Sequence, residues 1–158
     1  MKRKIIARSI LPDLAHKLRI AGKKVVFTNG AFDILHLGHV TYLQKAKEQG
    51  DVLIVGVNSD ASVKSYKGPD RPINPEKDRM LVLAALACVD FVVLFEESTP
   101  LNLIMMARPH VLVKGADWKK SEIAGAKEVE SWGGKVKLVP VVAGRSTTNV
   151  IKKMKHGA

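Results

Sequence analysis

The sequence contains one cysteine, Cys88, and aromatic residues make up only 5% of its 158 residues. One cysteine excludes an intramolecular disulfide and a cysteine-rich metal site, and its apolar neighbours predict a core position. The shortage of aromatic side chains disfavours a stacking platform for single-stranded nucleic acid. No apolar run approaches the roughly 20 residues of a transmembrane helix, and the basic N-terminus is too weakly apolar for a signal peptide. We therefore expect a cytoplasmic protein that binds neither a membrane nor nucleic acid.

Several common catalytic motifs are also missing. The sequence has no GxxxxGK[ST] loop, which excludes a P-loop phosphotransferase, and no GxGxxG fingerprint, which disfavours a dinucleotide-dependent dehydrogenase. No serine lies in a nucleophile elbow, and His36 has no evident serine or cysteine partner. These absences favour a reaction in which the substrate brings its own nucleophile and the protein supplies positioning and charge stabilisation.

Positive charge is in excess, with a formal net charge of +11. Such an excess is typical of proteins that bind nucleic acid, an anionic membrane surface or small polyanionic substrates. The lysines are scattered, apart from Lys152, Lys153 and Lys155 near the end of the chain. Solvated surface charge and steering of an anionic substrate therefore explain the balance equally well.

Short apolar runs alternate with helical patterns along the chain. The predicted strands are 25–27, 52–57, 91–95, 111–113 and 136–139, and the predicted helices are 38–49, 75–87, 99–107, 122–131 and 147–155. Asn74-Pro75 and Ser98-Thr99-Pro100 are helix start signals. Alternating strands and helices predict right-handed crossovers, so we expect one Rossmann-like α/β domain with a doubly wound, five-stranded parallel sheet.

Two segments stand outside this alternation. Residues 1–22 form a basic N-terminal segment, helical around 11–18 and of undetermined role, which precedes a domain over residues 23–158. Residues 64–73 contain a glycine, two prolines and several charges. We expect the latter segment to be an exposed, mobile loop.

The most informative stretch, residues 28–39, joins the first predicted strand to the helix that follows it. His36 and His39 lie at the start of that helix, where free N–H groups and the positive end of the helix dipole attract phosphate. Gly30 and Gly38 permit close approach of the backbone. The pattern favours a polyphosphate site, and the alternative is a turn in which both histidines cap the helix.

Two more polar segments follow predicted strands, at residues 114–118 and 144–149. The carboxyl ends of parallel strands share one edge of the sheet, and ligands bind there where the strand order reverses. Arg145 and the hydroxyls after it can hold phosphate, and Lys114 supplies a cation; the alternatives are an ordinary helix cap and a turn. Convergence of all three segments predicts a nucleotide site.

The run His36-Leu37-Gly38-His39, within a GxFDxxHxGH pattern, resembles the HxGH signature of the cytidylyltransferase-like nucleotidyltransferases. Residues 145–148 resemble the second signature of that family, a helix start rich in serine and threonine. Runs such as Val57-Asn58-Ser59-Asp60 and Val113-Lys114-Gly115 extend the resemblance, in order over about residues 23–155, to the D-glycero-β-D-manno-heptose 1-phosphate adenylyltransferases. Those enzymes make ADP-heptose for the lipopolysaccharide inner core.

The resemblance implies that ATP and heptose 1-phosphate, with Mg²⁺, give ADP-heptose and pyrophosphate. It implies that His36, His39 and Arg145 are catalytic, and it leaves the metal ligands unknown. The implied nucleotide-binding residues are Thr28, Asn29, Gly30, Ala31, Phe32, Gly38, Lys114, Gly115, Asp117, Ser146, Thr147 and Thr148. The implied phosphate- or substrate-binding residues are Lys64, Lys67 and Arg79; apart from the resemblance, a solvated helix face is the simpler explanation of Arg79. Asp33 is expected to fix the loop before the histidines.

Two features depart from the family pattern. Many members carry a sugar kinase domain that this sequence lacks, so we expect the stand-alone form and a separate heptose 7-phosphate kinase. An Arg-Tyr-Val-Asp run at the dimer interface reads Ala87-Cys88-Val89-Asp90 here; we expect a homodimer without that arginine contact.

Two alternatives stay open at the level of the sequence. One is a cytidylyltransferase acting on glycerol 3-phosphate or another small phosphate ester. The other is a noncatalytic module that binds nucleotide or nucleic acid, which would leave the paired histidines without a use.

Overall fold

A single parallel sheet forms the centre of the molecule in the computed structural model, which describes residues 2–142 and 144–156. Its strands are β1 (Val25–Gly30), β2 (Val52–Asn58), β3 (Phe91–Phe95), β4 (Val111–Gly115) and β5 (Lys135–Val139). The spatial order is β3-β2-β1-β4-β5, and every pairing is parallel. The order reverses between β1 and β4. The predicted doubly wound, five-stranded α/β fold is therefore confirmed.

The strands form where the chain is apolar and β-branched, as a sheet covered on both faces requires. β2 is buried along its whole length, from Val52 to Asn58. β5 lies at an edge and exposes Lys135 and Lys137, charged side chains that discourage pairing with another chain.

Helices cover both faces of the sheet. They are α1 (Leu11–Ile20), α2 (Leu37–Lys47), α3 (Asp60–Lys67), α4 (Glu76–Ala85), α5 (Leu101–Ala107), α6 (Ala126–Ser131) and α7 (Thr147–His156). Short 3₁₀ helices are found at Lys2–Lys4, Arg8–Ile10 and Lys120–Glu122. None of the described helices is long and apolar enough to cross a bilayer.

The structure corrects two of the predicted elements. Residues 64–67 of the segment 64–73 are helical, because α3 begins after Ser59, whose hydroxyl accepts a hydrogen bond from the Ser62 N–H at 3.1 Å. The helix predicted over 122–131 is divided, since Gly125 has a φ of +85° and α6 starts only after it. In both places a local cap decides the boundary.

The N-terminal segment packs on the same core as the rest of the chain. Leu11 and Ala15 of α1 are fully buried, and Leu11 joins the cluster that contains Phe27 and Leu103. The Ile6 N–H donates to the Val92 carbonyl at 3.0 Å. Cys88, predicted to be in the core, is half-buried and packs against the edge of the core on the other face of the sheet.

Candidate active site

A cavity of about 660 Å³ opens at the carboxyl ends of the strands, where the strand order reverses. The three polar segments predicted to converge all line it: Asn29 to Asp33 at the end of β1 and just after it, Lys114 and Gly115 at the end of β4, and Arg145 to Thr148 at the start of α7. Clefts at this position are the usual ligand sites of open α/β sheets.

Two stacked histidines occupy the end of the cavity next to α2. The rings of His36 and His39 lie 3.9 Å apart between centroids, at 22° to each other, and Phe32 meets His39 edge-on at 5.3 Å. The backbone carbonyl of His36 accepts the first helical hydrogen bonds, from the N–H groups of His39 and Val40. The side chain of His36 makes no capping bond, so the alternative in which both histidines cap the helix does not describe the pair.

Both imidazoles are held neutral. Burial, with the neighbouring His36 adding to it, lowers the pKa of His39 to about 4, although a hydrogen bond with the Ile34 backbone acts in the opposite sense. Burial and the charge of Arg145 lower the pKa of His36. Within the described residues, both ring nitrogens of His36 and Nδ1 of His39 are buried without a hydrogen-bond partner. Buried polar atoms without partners are rare and are typical of sites that wait for a ligand.

Gly38 joins the histidine segment to the segment before α7. A Cβ atom at Gly38 would lie 3.0 Å from the His36 ring and 3.1 Å from the backbone oxygen of Arg145. The absence of a side chain therefore lets the two segments touch. The hydroxyl of Ser146 accepts from the Asn149 N–H at 3.2 Å, which helps to start α7 beside the histidines.

A buried lysine bridges the two strands at which the sheet order reverses. Lys114 is only 8% exposed, and its Nζ donates to Oδ1 of Asn29 at 2.5 Å. The same Nζ lies 5.5 Å from the centroid of the Trp118 ring. Burial lowers the pKa of Lys114 to about 8, and Asp117 opposes that shift. The cation is thus held at the floor of the cavity.

Asp33 holds the loop that follows α3. Its carboxylate accepts from the N–H groups of Ile73 and Asn74, at 2.8 and 2.9 Å, and from Nε of Arg71 at 2.7 Å. Burial raises the pKa of Asp33, but these hydrogen bonds outweigh burial and lower it overall. Asp33 is expected from the sequence to fix the loop before the histidines, and its bonds link that loop to residues 71–74.

The structure gives Arg79 a different place from the one expected beside the phosphates. Arg79 is 1% exposed and lies outside the cavity lining. Its guanidinium donates to the backbone carbonyls of Asn74, Ala31 and Asn58 and to the carboxylate of Asp60. Because it is buried outside the cavity lining and bonded to these partners, Arg79 supports the backbone around the cavity.

Three other residues expected at the site also lie outside the cavity lining: Thr28, Lys64 and Asp117. Thr28 is fully buried, and its hydroxyl is 2.6 Å from that of Tyr42, which donates to the Val113 carbonyl. Thr28 therefore ties β1, α2 and β4 together behind the cavity. Lys67, in contrast, lines the cavity and is close enough to His39 to lower its pKa.

Sequence reasoning missed a second group of lining residues. It includes Asn58, Tyr66, Ser98, Thr99 and Glu122. Asn58 ends β2 and Ser98 and Thr99 follow β3, so the rule that ligands lie beyond strand ends would have found them had it been applied to every strand. In the described part of the chain, no cluster of three or more histidine, cysteine or acidic residues is arranged to hold a metal ion.

Comparison with known proteins agrees with this geometry. A family model described as cytidylyltransferase-like matches residues 27–156. "Bifunctional protein HldE" of Syntrophotalea carbinolica is 53% identical over 96% of this chain and 31% of its own length, and that of Geobacter metallireducens is 59% identical over 84% and 27%. The chain therefore spans less than a third of the length of these relatives.

Two solved structures share the architecture. A lipopolysaccharide core biosynthesis protein from Thermoplasma volcanium has a TM-score of 0.63 and 32% identity, over 77% of this chain and 98% of that one. A pantoate-β-alanine ligase from Francisella tularensis has a TM-score of 0.60 at 16% identity, over 98% of this chain and 79% of that one. The second likeness concerns the fold alone.

Proposed function

Because the chain belongs to the cytidylyltransferase-like nucleotidyltransferases, we propose that it transfers the adenylyl group of ATP to D-glycero-β-D-manno-heptose 1-phosphate, giving ADP-heptose and pyrophosphate. The main support is the neutral histidine pair, whose buried nitrogens have no partner within the described residues. The resemblance of the motifs to heptose 1-phosphate adenylyltransferases supports the acceptor. A relative with a solved structure is named for lipopolysaccharide core biosynthesis, which agrees with a product used in the inner core.

In the proposed reaction an oxygen of the sugar phosphate attacks the α-phosphorus of ATP in line. The bond from that phosphorus to the bridging oxygen breaks, and pyrophosphate leaves with the electron pair. Negative charge grows on the α-phosphate and on the leaving group. We assign to His36 and His39 the stabilisation of this charge, through hydrogen bonds from their ring N–H groups.

The remaining cations and the helix start of α7 hold the triphosphate. Arg145 supplies a planar, bidentate donor, while the segment from Ser146 to Thr148 presents hydroxyls and N–H groups at a helix N-terminus. Lys67 adds charge beside His39. Asn29 and Lys114 are placed where the sheet order reverses, and we assign the nucleoside to that part of the cavity, next to Trp118.

Magnesium is proposed to arrive with ATP. Among the described cavity residues, carboxylates are present only on Asp33 and Glu122, and Asp33 is engaged by Arg71 and two backbone N–H groups. The chain thus fits a Mg²⁺ ion held by phosphate oxygens, which are its preferred ligands in such sites. When bound, the ion neutralises charge on the phosphates. A homodimer and a separate kinase that supplies the acceptor stay predictions.

The proposal is tested by following pyrophosphate release with Mg²⁺, either ATP or CTP, and either heptose 1-phosphate or glycerol 3-phosphate. We expect turnover with ATP and heptose 1-phosphate. Turnover only with CTP, or only with glycerol 3-phosphate, would assign the chain to the other branch of its family. ATP binding without turnover on any acceptor would identify a noncatalytic module.

The role of the histidines is tested in the same assay. His39→Ala is expected to fold normally and to lose turnover by about a hundredfold or more, because one preorganised donor to the transition state is removed. His16→Ala is the matched control, since His16 is exposed on α1 and lies outside the cavity lining. Near-wild-type turnover of His39→Ala would contradict the proposed mechanism.

A further inference from the structure

The side of the cavity formed by β2 and β3 differs in chemistry from the rest. Asn58 ends β2 and pairs in register with Phe95 of β3, and Ser98 and Thr99 follow β3. All three line the cavity and none is charged. We call this group of three residues the β2–β3 lobe. The histidines and the lining cations Lys67, Lys114 and Arg145 belong to other segments.

The lobe offers hydrogen-bonding groups that the described part of the protein does not use. Ser98 and Thr99 are exposed, and neither hydroxyl is hydrogen-bonded to another described residue. Asn58 is 5% exposed; its side-chain nitrogen donates to the Ser62 hydroxyl at 3.1 Å, which directs the amide. Within the described residues nothing donates to the side-chain oxygen of Asn58. The lobe therefore presents both donors and acceptors without charge.

A network of buried groups holds the lobe in shape. The Ser62 hydroxyl, in a residue only 4% exposed, donates to the Glu97 carbonyl at 3.1 Å. The Ser59 N–H donates to the Phe95 carbonyl at 2.8 Å. These bonds tie the end of β2 to the loop that bears Ser98 and Thr99, so the two walls of the lobe are positioned together.

The N-terminal segment anchors this network from outside. Arg8 binds the Glu97 carboxylate through both terminal nitrogens, at 3.0 and 2.5 Å. This pair lowers the pKa of Glu97 to about 2, so the carboxylate stays ionised at neutral pH. A bidentate pair fixes the orientation of a carboxylate more firmly than a single contact. Arg8 thus sets the position of the residue immediately before Ser98.

We propose that the β2–β3 lobe binds the hydroxyl groups of the acceptor, a neutral polyhydroxylated chain or ring whose phosphate points towards His39 and Lys67. Hydroxyl groups are donors and acceptors at once, which matches an amide oxygen and two side-chain hydroxyls. A phosphate would instead require cations, and those lie elsewhere in the cavity. The inference rests on the proposed function, because a sugar phosphate acceptor supplies both the phosphate and the hydroxyls.

The experiment measures KM for ATP and for heptose 1-phosphate separately, in the full chain carrying Ser98→Ala and Thr99→Val together. Both positions are exposed, so the variant is expected to fold. The loss of one hydrogen bond corresponds to about a fivefold change in affinity. We therefore expect the acceptor KM to rise about fivefold to twentyfold while the KM for ATP stays constant.

A second variant tests the network without touching the lobe. Arg8→Ala is expected to raise the acceptor KM about twofold to fivefold, and Arg8→Lys to restore part of the loss. Lys4→Ala is the matched control, because Lys4 also fastens the N-terminal segment, to the Leu86 and Val89 carbonyls, and does not contact Glu97. It is expected to leave both KM values unchanged.

The possible outcomes separate this inference from the proposed function. A rise in the KM for ATP alone would place the nucleotide ribose in the lobe. Unchanged KM values for both substrates would mean that only water occupies the lobe. Either result overturns the inference and leaves the proposed adenylyltransferase function intact. Wild-type protein that adenylates no sugar phosphate overturns both. Arg8→Ala that lowers thermal stability without changing the acceptor KM would remove the positioning role of Arg8.

Discussion

At the scale of single residues, the histidine pair is costly to the fold. Each buried polar atom that lacks a partner costs about 1–3 kcal/mol. His36 and His39 contribute three such atoms within the described residues, and their rings stack at 3.9 Å, where two positive charges would repel each other. Such an arrangement is explained when a ligand forms hydrogen bonds with the unpartnered nitrogens. We therefore interpret the pair as a functional feature.

The pKa of His39 predicts how stability depends on pH. Because the folded pKa is about 4 and the unfolded value is 6.5, the unfolded chain binds a proton in this interval and the folded chain does not. The free energy of unfolding should therefore fall as the pH drops from 6.5 towards 4, by at most about 1.4 kcal/mol per pH unit from this one residue.

Urea unfolding between pH 5 and 6.5 measures the effect, since Glu97, whose pKa is lowered from 4.5, loses its contribution only at lower pH. His39→Ala should reduce the slope of the unfolding free energy against pH by an amount that corresponds to at most one proton. His36 and His110, whose pKa values are also lowered, should account for the slope that remains. An unchanged slope in His39→Ala would show that this imidazole is not held neutral.

At the scale of elements, the contact between the start of α2 and the segment before α7 assembles the phosphate end of the cavity. The two elements are far apart in sequence and meet at Gly38, where a Cβ atom would lie 3.0 Å from the His36 ring and 3.1 Å from the Arg145 backbone oxygen. The catalytic arrangement depends on this close contact between the two segments, whereas the stability of the hydrophobic core does not.

Gly38→Ala is expected to reduce turnover strongly, about tenfold or more, because misplacement of reacting groups by a fraction of an ångström to 1 Å is costly. Its stability should change little, since the helix preference of alanine over glycine, about 1 kcal/mol, opposes the cost of displacing the His36 ring and the Arg145 backbone. Pyrophosphate release and chemical denaturation measure the two effects. Leu37→Ala, at an exposed position in the same turn, is the control, and wild-type activity in Gly38→Ala would show that the two segments need not touch.

Elements were also predictable to different degrees. The apolar runs located all five strands of the sheet, because strands buried on both faces, such as β2, leave a continuous hydrophobic signal, and the edge strand β5 still has valine and leucine beside its exposed lysines. Helix α3 was missed, since the charged and turn-forming residues around Gly68 suggested a loop, while the cap that starts the helix is a single hydroxyl on Ser59. Local hydrogen bonds of this kind leave only a weak trace in composition.

At the scale of the whole molecule, the N-terminal segment belongs to the packed core and also reaches the cavity wall. Leu11 is fully buried against residues of the sheet and α5, and Arg8 fastens the loop after β3. These contacts explain a segment whose role could not be inferred from its basic composition.

Leu11→Ala is expected to lower the free energy of unfolding by about 2–5 kcal/mol, the usual cost of removing a fully buried leucine side chain. Denaturant unfolding measures this change. Ile20→Ala, on the same helix and 75% exposed, should change stability by less than about 0.5 kcal/mol. Equal, small effects of both substitutions would mean that α1 is not part of the core.

The sequence alone determined the alternation of strands and helices along the chain, the α/β class and the three polar segments that converge. Periodicity, glycines and capping residues act locally, so they can be recognised without the tertiary structure. It also identified the histidine pair, because Gly30 and Gly38 lie near the two histidines and the HxGH run resembles a nucleotidyltransferase signature. Only the tertiary structure decided that Arg79 and Thr28 lie behind the cavity and that Asn58, Ser98 and Thr99 line it. Whether a polar side chain meets a ligand or a backbone carbonyl depends on which distant segments surround it, and sequence spacing does not record those neighbours.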